Sequence, residues 1–192
     1  MYVQAKMPKL QAAENFAKER HSGMLRKDGI TTYNEHLAGV VSRLKNLGIT
    51  DEDLLCAAWL HDIIEDTNTG FNEVDQRFGS KVAVLVLSLS KDKSLPKSKQ
   101  EEQYVKQLKE SSFEAKLIKL CDISANLKDI KGAPLSKTKK AKTVRKILHY
   151  LNSIKPDLVK NMSSTLGIAS LVDGINEVVV SFGQRPIRLA TH

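Results

Sequence analysis

LLCAAWLHDIIED, residues 54–66, sets an adjacent histidine and aspartate, His61 and Asp62, one turn ahead of two more carboxylates, Glu65 and Asp66. The residues around these four polar groups read apolar: Leu54, Leu55, Ala57, Ala58, Trp59, Leu60, Ile63 and Ile64. If the stretch is helical, position 61 stacks with 65 and position 62 with 66. Burying such a cluster costs several kcal/mol unless a cation or strong hydrogen bonds compensate it. A metal-dependent hydrolase is the economical reading.

Outward from this stretch, helical periodicity dominates and no internal repeat or long linker is found. Thr50 opens the central helix, with Asp53 completing a capping box, and the helix is expected to run unbroken to about Asp66. Thr67–Gly70 ends it, and a short helix follows over Asn72–Phe78, closed by Gly79. Upstream, a first helix spans about Lys9–His21, with Leu10, Ala13, Phe16 and Ala17 on one stripe. A polar loop, Ser22–Thr32, carries the basic pair Arg26-Lys27, and a second helix from about Asn34 to Leu47 carries His36 and ends at Gly48.

Downstream, Val82–Ser90 (VAVLVLSLS) has the β-branched alternation of a strand. A loop over Lys91–Lys97 contains Pro96, and helices are expected over Lys99–Lys109, Glu114–Ile130 and Ser136–Ile154, the last ended with the help of Pro156. One or two further helices reach Phe182, and QRPIRLATH reads as a loose tail.

Composition narrows the class. A chain of 192 residues with 41% hydrophobic and 27% charged content suits one soluble domain with a full core. No apolar run approaches the roughly 20 residues of a membrane helix. The N-terminal residues lack the pattern of a signal peptide, so a cytoplasmic protein is expected. Cys56 and Cys121 have no CxxC spacing and read as buried free thiols. A net charge of +8 implies an anionic partner. Aromatics are few at 5% and no zinc-finger, RNP or KH signature is found, which argues against nucleic acid as a partner, and a small phosphate-rich substrate suits the charge equally well. Lys137–Lys142 reads as a solvated charged face. The sequence leaves the oligomeric state open, a homo-oligomer included.

Asp122 lies inside an apolar helix, with Asn126 one turn on. Each such residue alone has a plain structural explanation, as does an isolated helical His36. Together with His61-Asp62 they form an H…HD…D series of two imidazoles and two carboxylates. That mix binds a divalent transition metal and leaves positions for water and a substrate oxygen. Glu65 and Asp66 stand one turn away to take a proton.

The series resembles the HD-domain phosphohydrolases, and three longer blocks narrow the resemblance. HSGMLRKDGITTYNEH (21–36), HDIIEDT with Phe78-Gly79, and KLIKLCDISANLKDI (116–130) are similar, in order, to the blocks of the RelA/SpoT hydrolase domain. The likeness covers about residues 5–155, and the length matches the small alarmone hydrolases, which include the metazoan SpoT homologues.

The resemblance implies an all-α HD-domain helical bundle with a metal site in its centre, formed by residues 1–155, with 156–192 as a C-terminal helical extension packing on it. It makes Val82–Ser90 a helix. It implies a manganese-dependent enzyme of the stringent response that removes the 3′-pyrophosphate from guanosine tetra- or pentaphosphate, water at the metal attacking the 3′-phosphorus.

Residue by residue, His36, His61, Asp62 and Asp122 match the metal ligands. Glu65 and Asp66 match the pair that positions and activates water, and Asn126 the residue that holds substrate or water near the metal. Arg26 and Lys27 match the basic pair near base and phosphates, with Arg26 suited to stack on guanine. Lys97 falls where small members place a phosphate-binding lysine. Lys146 and Tyr150 match an Arg-x-x-x-Tyr pair, with lysine in place of arginine, which removes a bidentate phosphate contact. His21 matches the motif and reads as structural. Met24, Thr32 and Leu37 depart from the family pattern around the base. The competing readings are a phosphatase of another nucleotide, such as the 2′-phosphate of NADPH, and a non-catalytic nucleotide- or nucleic-acid-binding module.

Overall fold

The computed structural model describes residues 7–189. Ten helices account for the regular structure of those residues, and the one β feature is an isolated antiparallel bridge, Leu25 to Thr32, inside the loop before the second helix. The helices are α1 (Lys9–Arg20), α2 (Tyr33–Asn46), α3 (Glu52–Leu60), α4 (Ile63–Asp66), α5 (Phe71–Phe78), α6 (Ser80–Leu89), α7 (Lys97–Glu110), α8 (Phe113–Gly132), α9 (Lys137–Asn161) and α10 (Ile168–Ser181). The chain is all-α, as expected.

Two helices organise the bundle. α3 packs against α1, α2, α6 and α8, and α8 packs against α2, α6, α9 and α10 as well. Both are buried on most of their circumference: α3 from Leu54 to Leu60 without a break, α8 through residues from Ala115 to Ile130. A helix apolar all round belongs in an interior. Asp122 is thereby carried into the centre on α8, His61 and Asp62 follow the end of α3, and His36 enters from α2, which packs on both.

Several expectations need correction. The central helix does not run unbroken to Asp66; it stops at Leu60, passes through a turn at His61-Asp62, and restarts as α4. Its cap is Asp51 rather than Thr50, the Asp51 carboxylate accepting the Leu54 N–H at 2.8 Å. Val82–Leu89 is helical, as the family resemblance implied and against the strand-like pattern, because Val82, Ala83, Leu85, Val86 and Leu89 form a buried stripe at helical spacing against α3 and α8. Tertiary burial here outweighs β propensity. Gly79, at φ 87°, makes the abrupt α5–α6 junction, a backbone geometry that costs a residue with a Cβ.

Pro156 does not end α9, which continues to Asn161. Fully buried Ile154 and Leu158 flank the proline, and that packing offsets the lost backbone hydrogen bond. The stretch 183–189 is tied down rather than loose: both the N–H and the carbonyl of Ile187 bond to the Asn176 side chain at 2.8 Å. The last three residues of the expected tail lie outside the described residues. Both cysteines are buried and unbridged.

Candidate active site and metal centre

The break at His61-Asp62 is what shapes the centre. As the residue following α3, His61 is buried, and its Nδ1 lies 2.8 Å from the Ala58 carbonyl. A carbonyl only accepts, so Nδ1 carries a proton and Nε2 is the nitrogen that faces the cluster, open to a metal once it has given up its own proton. Asp62, at the start of α4, swings its carboxylate to 3.1 Å from His61 Nε2. His36 enters from α2, its Nε2 3.8 Å from Asp62 Oδ2 and 3.3 Å from Asp122 Oδ1 of α8. His61 Nε2 lies 3.6 Å from the same Asp122 oxygen. Ligand atoms of His36, His61 and Asp62 all fall within 4.8 Å of one another.

Both ring nitrogens of His36 and Nε2 of His61 are buried with no hydrogen-bond partner. Buried polar atoms seldom stay unsatisfied. Burial works against a charged His61 ring, yet Asp62 and Asp122 outweigh it and push its pKa up to about 10. The centre therefore favours positive charge, and two imidazoles with two carboxylates fit a divalent transition metal.

Around the centre each carboxylate has an assigned neighbour. Asp122 Oδ2 accepts from Lys119 at 2.8 Å, and Oδ1 accepts the Asn126 amide at 2.6 Å. Burial tends to raise the Asp122 pKa, but the Lys119 ammonium and the two imidazoles hold it well below the ordinary carboxylate range. The Tyr33 hydroxyl is shared between Asp62, at 2.7 Å, and Asp66. Glu65 Oε2 accepts the backbone N–H of Lys91 at 3.1 Å.

These groups open into a cavity of about 350 Å³. Asp62, Asp122, Glu65, Asp66 and Asn126 line one part of it, and Arg26, Lys27, Lys146 and Tyr150 also contribute. Arg26 is committed within the protein: it donates to Asp129 at 2.9 Å and to Asn126, and its guanidinium lies 4.9 Å from the centre of the Tyr33 ring. Lys97 is exposed at the start of α7 and does not line the cavity.

Sequence reasoning passed over Tyr33, Lys91, Tyr104, Lys119 and Asp129, all of which line the cavity. Some signals were present. Lys119 is a charge in an apolar helix three residues before Asp122, and Asp129 stands one turn beyond Asn126 on the same face. Lys91 and Tyr104 carried no such signal.

A profile of the HD domain family matches residues 13–153. The chain belongs to the HD domain family. Within it, the chain is similar to the guanosine-3′,5′-bis(diphosphate) 3′-pyrophosphohydrolases MESH1. It is 44% identical to the Danio rerio protein over 118 residues, 60% of this chain and 66% of that protein. For the Homo sapiens protein the identity is 43% over 123 residues, 63% of this chain and 69% of the relative. The chain thus spans about two thirds of the length of these relatives. A solved structure of a metazoan orthologue of SpoT, described as hydrolysing ppGpp, superposes with a TM-score of 0.79 at 29% identity, covering 95% of this chain and 98% of the other. The HD domain fold expected from the sequence is thereby established.

Proposed function

We propose that this HD domain protein is a manganese-dependent hydrolase that removes the 3′-pyrophosphate from guanosine tetra- and pentaphosphate, yielding GDP or GTP. One observation carries the reading: Asp62 and Asp122, the carboxylates of a His/Asp cluster fit for a divalent metal, line the same cavity as a set of cationic side chains suited to phosphates, with His36 and His61 buried behind them. The names of the relatives supply the substrate.

His36, His61, Asp62 and Asp122 would hold the ion, which when bound lowers the pKa of water and offsets charge on phosphoryl oxygens. Glu65 and Asp66 orient a water towards the phosphorus at the 3′ oxygen and take its proton. The bond from that phosphorus to O3′ breaks, O3′ takes a proton, and pyrophosphate leaves. Asn126, bonded to both Asp122 and Arg26, keeps the reacting end in register with the basic side chains. Lys119 balances Asp122, so the centre keeps little excess negative charge to repel the phosphates. Lys27, Lys146 and Tyr150 bind phosphate oxygens. Arg26 orients Asn126 and Asp129 and lies 4.9 Å from the centre of the Tyr33 ring, which leaves one face of its guanidinium for stacking on guanine. Lys97, exposed and outside the cavity lining, is given no phosphate contact. Two buried free thiols accord with a reducing, cytoplasmic setting.

We take residues 7–189 as one unit, since α10 packs on α8. Leu37, one of the positions that departs from the family pattern, is fully buried in α2 and gives no support to a different base. The test is product analysis by anion-exchange chromatography, with manganese, guanosine tetraphosphate and NADPH in parallel, and Asp62→Ala as control. GDP plus pyrophosphate, absent in the control, is expected. Turnover of NADPH alone would move the assignment to a nucleotide phosphatase on the same centre. Turnover of neither substrate by metal-loaded protein would overturn it.

A further inference from the structure

Glu101, on α7, does not line the cavity, yet its carboxylate is held by three groups that do. Tyr150 donates its hydroxyl to Oε2, Lys146 pairs with Oε1, and Lys91 Nζ lies 3.9 Å from the same Oε1. Lys91 is not spare charge elsewhere: its Nζ is also 3.7 Å from Glu65 and sits over the Tyr104 ring at 4.8 Å and the Tyr150 ring at 5.5 Å. Lys27 joins the cluster electrostatically; its burial first, then Arg26, Lys146 and Lys91, lower its pKa. Cations are thus brought close together at this end of the cavity, against mutual repulsion.

A carboxylate has two oxygens and one negative charge. A terminal phosphoryl group has three oxygens and nearly two charges at neutral pH. Two ammonium groups and a hydroxyl converging on one point match the second better than the first. The Glu101 side chain is 42% exposed, so these three contacts, and not burial, hold it in place.

We propose that Glu101 is a resident carboxylate that occupies a phosphate position between Lys91, Lys146 and Tyr150, and that the substrate phosphate farthest from the reacting one displaces it. This rests on reading the cavity as the site of a polyphosphorylated nucleotide. Glu101 then sets substrate affinity without touching the chemistry. It keeps the three donors gathered and screens them from weaker anions, because only a group of higher charge gains by the exchange. Lys91 becomes a phosphate-binding residue that also links this position to Glu65.

The test is Glu101→Gln, which keeps shape and removes charge at a half-exposed position. With guanosine tetraphosphate, KM should fall roughly threefold to fivefold, the scale of one exposed ion pair, while kcat stays unchanged. In a Lys146→Gln background the same change should lose most of its effect. A KM that rises or stays constant would overturn the proposal. A second measurement needs no turnover: inorganic phosphate titrated into the full metal-loaded chain, read by NMR at the labelled Tyr150 ring. Half-saturation should come at several-fold lower phosphate in the variant. Equal concentrations, or no shift in either protein, would count against Glu101. Absence of guanosine tetraphosphate turnover in the unmodified protein defeats the proposed function instead, and leaves the phosphate titration to decide this inference.

Discussion

Asp129 Oδ2 lies 3.6 Å from Nδ1 of His36, and the same oxygen accepts the Arg26 Nε–H at 2.9 Å. At 3.6 Å the contact with His36 is electrostatic rather than a hydrogen bond. One carboxylate from α8 thus biases a ring in the metal centre and anchors the basic pair in the loop before α2.

For Asp129→Asn, divalent-metal affinity should fall about tenfold, the lower end of the range for outer partners of metal-binding histidines. KM should rise as well, because Arg26 loses its anchor. Calorimetric titration with manganese reads the first effect and steady-state kinetics the second. Unchanged metal affinity would leave Asp129 as an Arg26 anchor only.

Tyr33 offers a cleaner separation of packing from polarity. Its ring stacks on His21 at 4.6 Å between centroids, and its hydroxyl serves Asp62 and Asp66. Phenylalanine keeps the ring. Tyr33→Phe should therefore fold normally yet lose about tenfold in metal affinity or turnover. A variant with unaltered kinetics and metal content would remove the hydroxyl from the site.

Variants at Asp62 and Asp122 should differ in stability although the proposed reaction uses both residues. The Asp122 side chain is 4% exposed and pairs with Lys119, whose own side chain is 13% exposed. Asp122→Ala leaves that ammonium buried without its partner and should cost about 3 kcal/mol or more. The Asp62 side chain is 22% exposed, and its removal should cost clearly less. Urea unfolding of the two variants side by side decides the order.

Asp51 caps the helix that delivers His61. Its folded-state carboxyl is held below the ordinary 3.8 by Lys81, at 2.8 Å, and by the Leu54 N–H. A depressed pKa gives a contribution that is complete above 3.8 and is lost as pH falls through the lower folded value. Asp51→Ala should cost about 1 kcal/mol at neutral pH. The gap from the unmodified protein should close below pH 3.8. A gap independent of pH would point to a lost contact other than the charged cap.

The candidate metal ligands stood out in the sequence chiefly because His61-Asp62 and Asp122 interrupt apolar runs. A charged or imidazole side chain there stands out against its neighbours. His36, His61, Asp62 and Asp122 do meet in the structure. The helical class was legible for the same reason, with Val82–Ser90 the exception, since a short apolar run has the same composition in a buried strand and a buried helix.

Other features belong to the tertiary structure alone. The break at His61-Asp62 arises where α3 ends and α4 begins, and it directs two adjacent side chains into one centre that a continuous helix would not bring together. The continuation of α9 past Pro156 follows from the burial of Ile154 and Leu158. Lys91, Glu101 and Tyr150 lie on a loop and two different helices, from 10 to 59 residues apart in sequence. No periodicity links such positions. The sequence by itself determined which residues belong inside and which charged or imidazole side chains go in with them, because burial of charge is a local demand. Which charges face one another across the cavity was decided only by the packing of α9 against both α7 and α8.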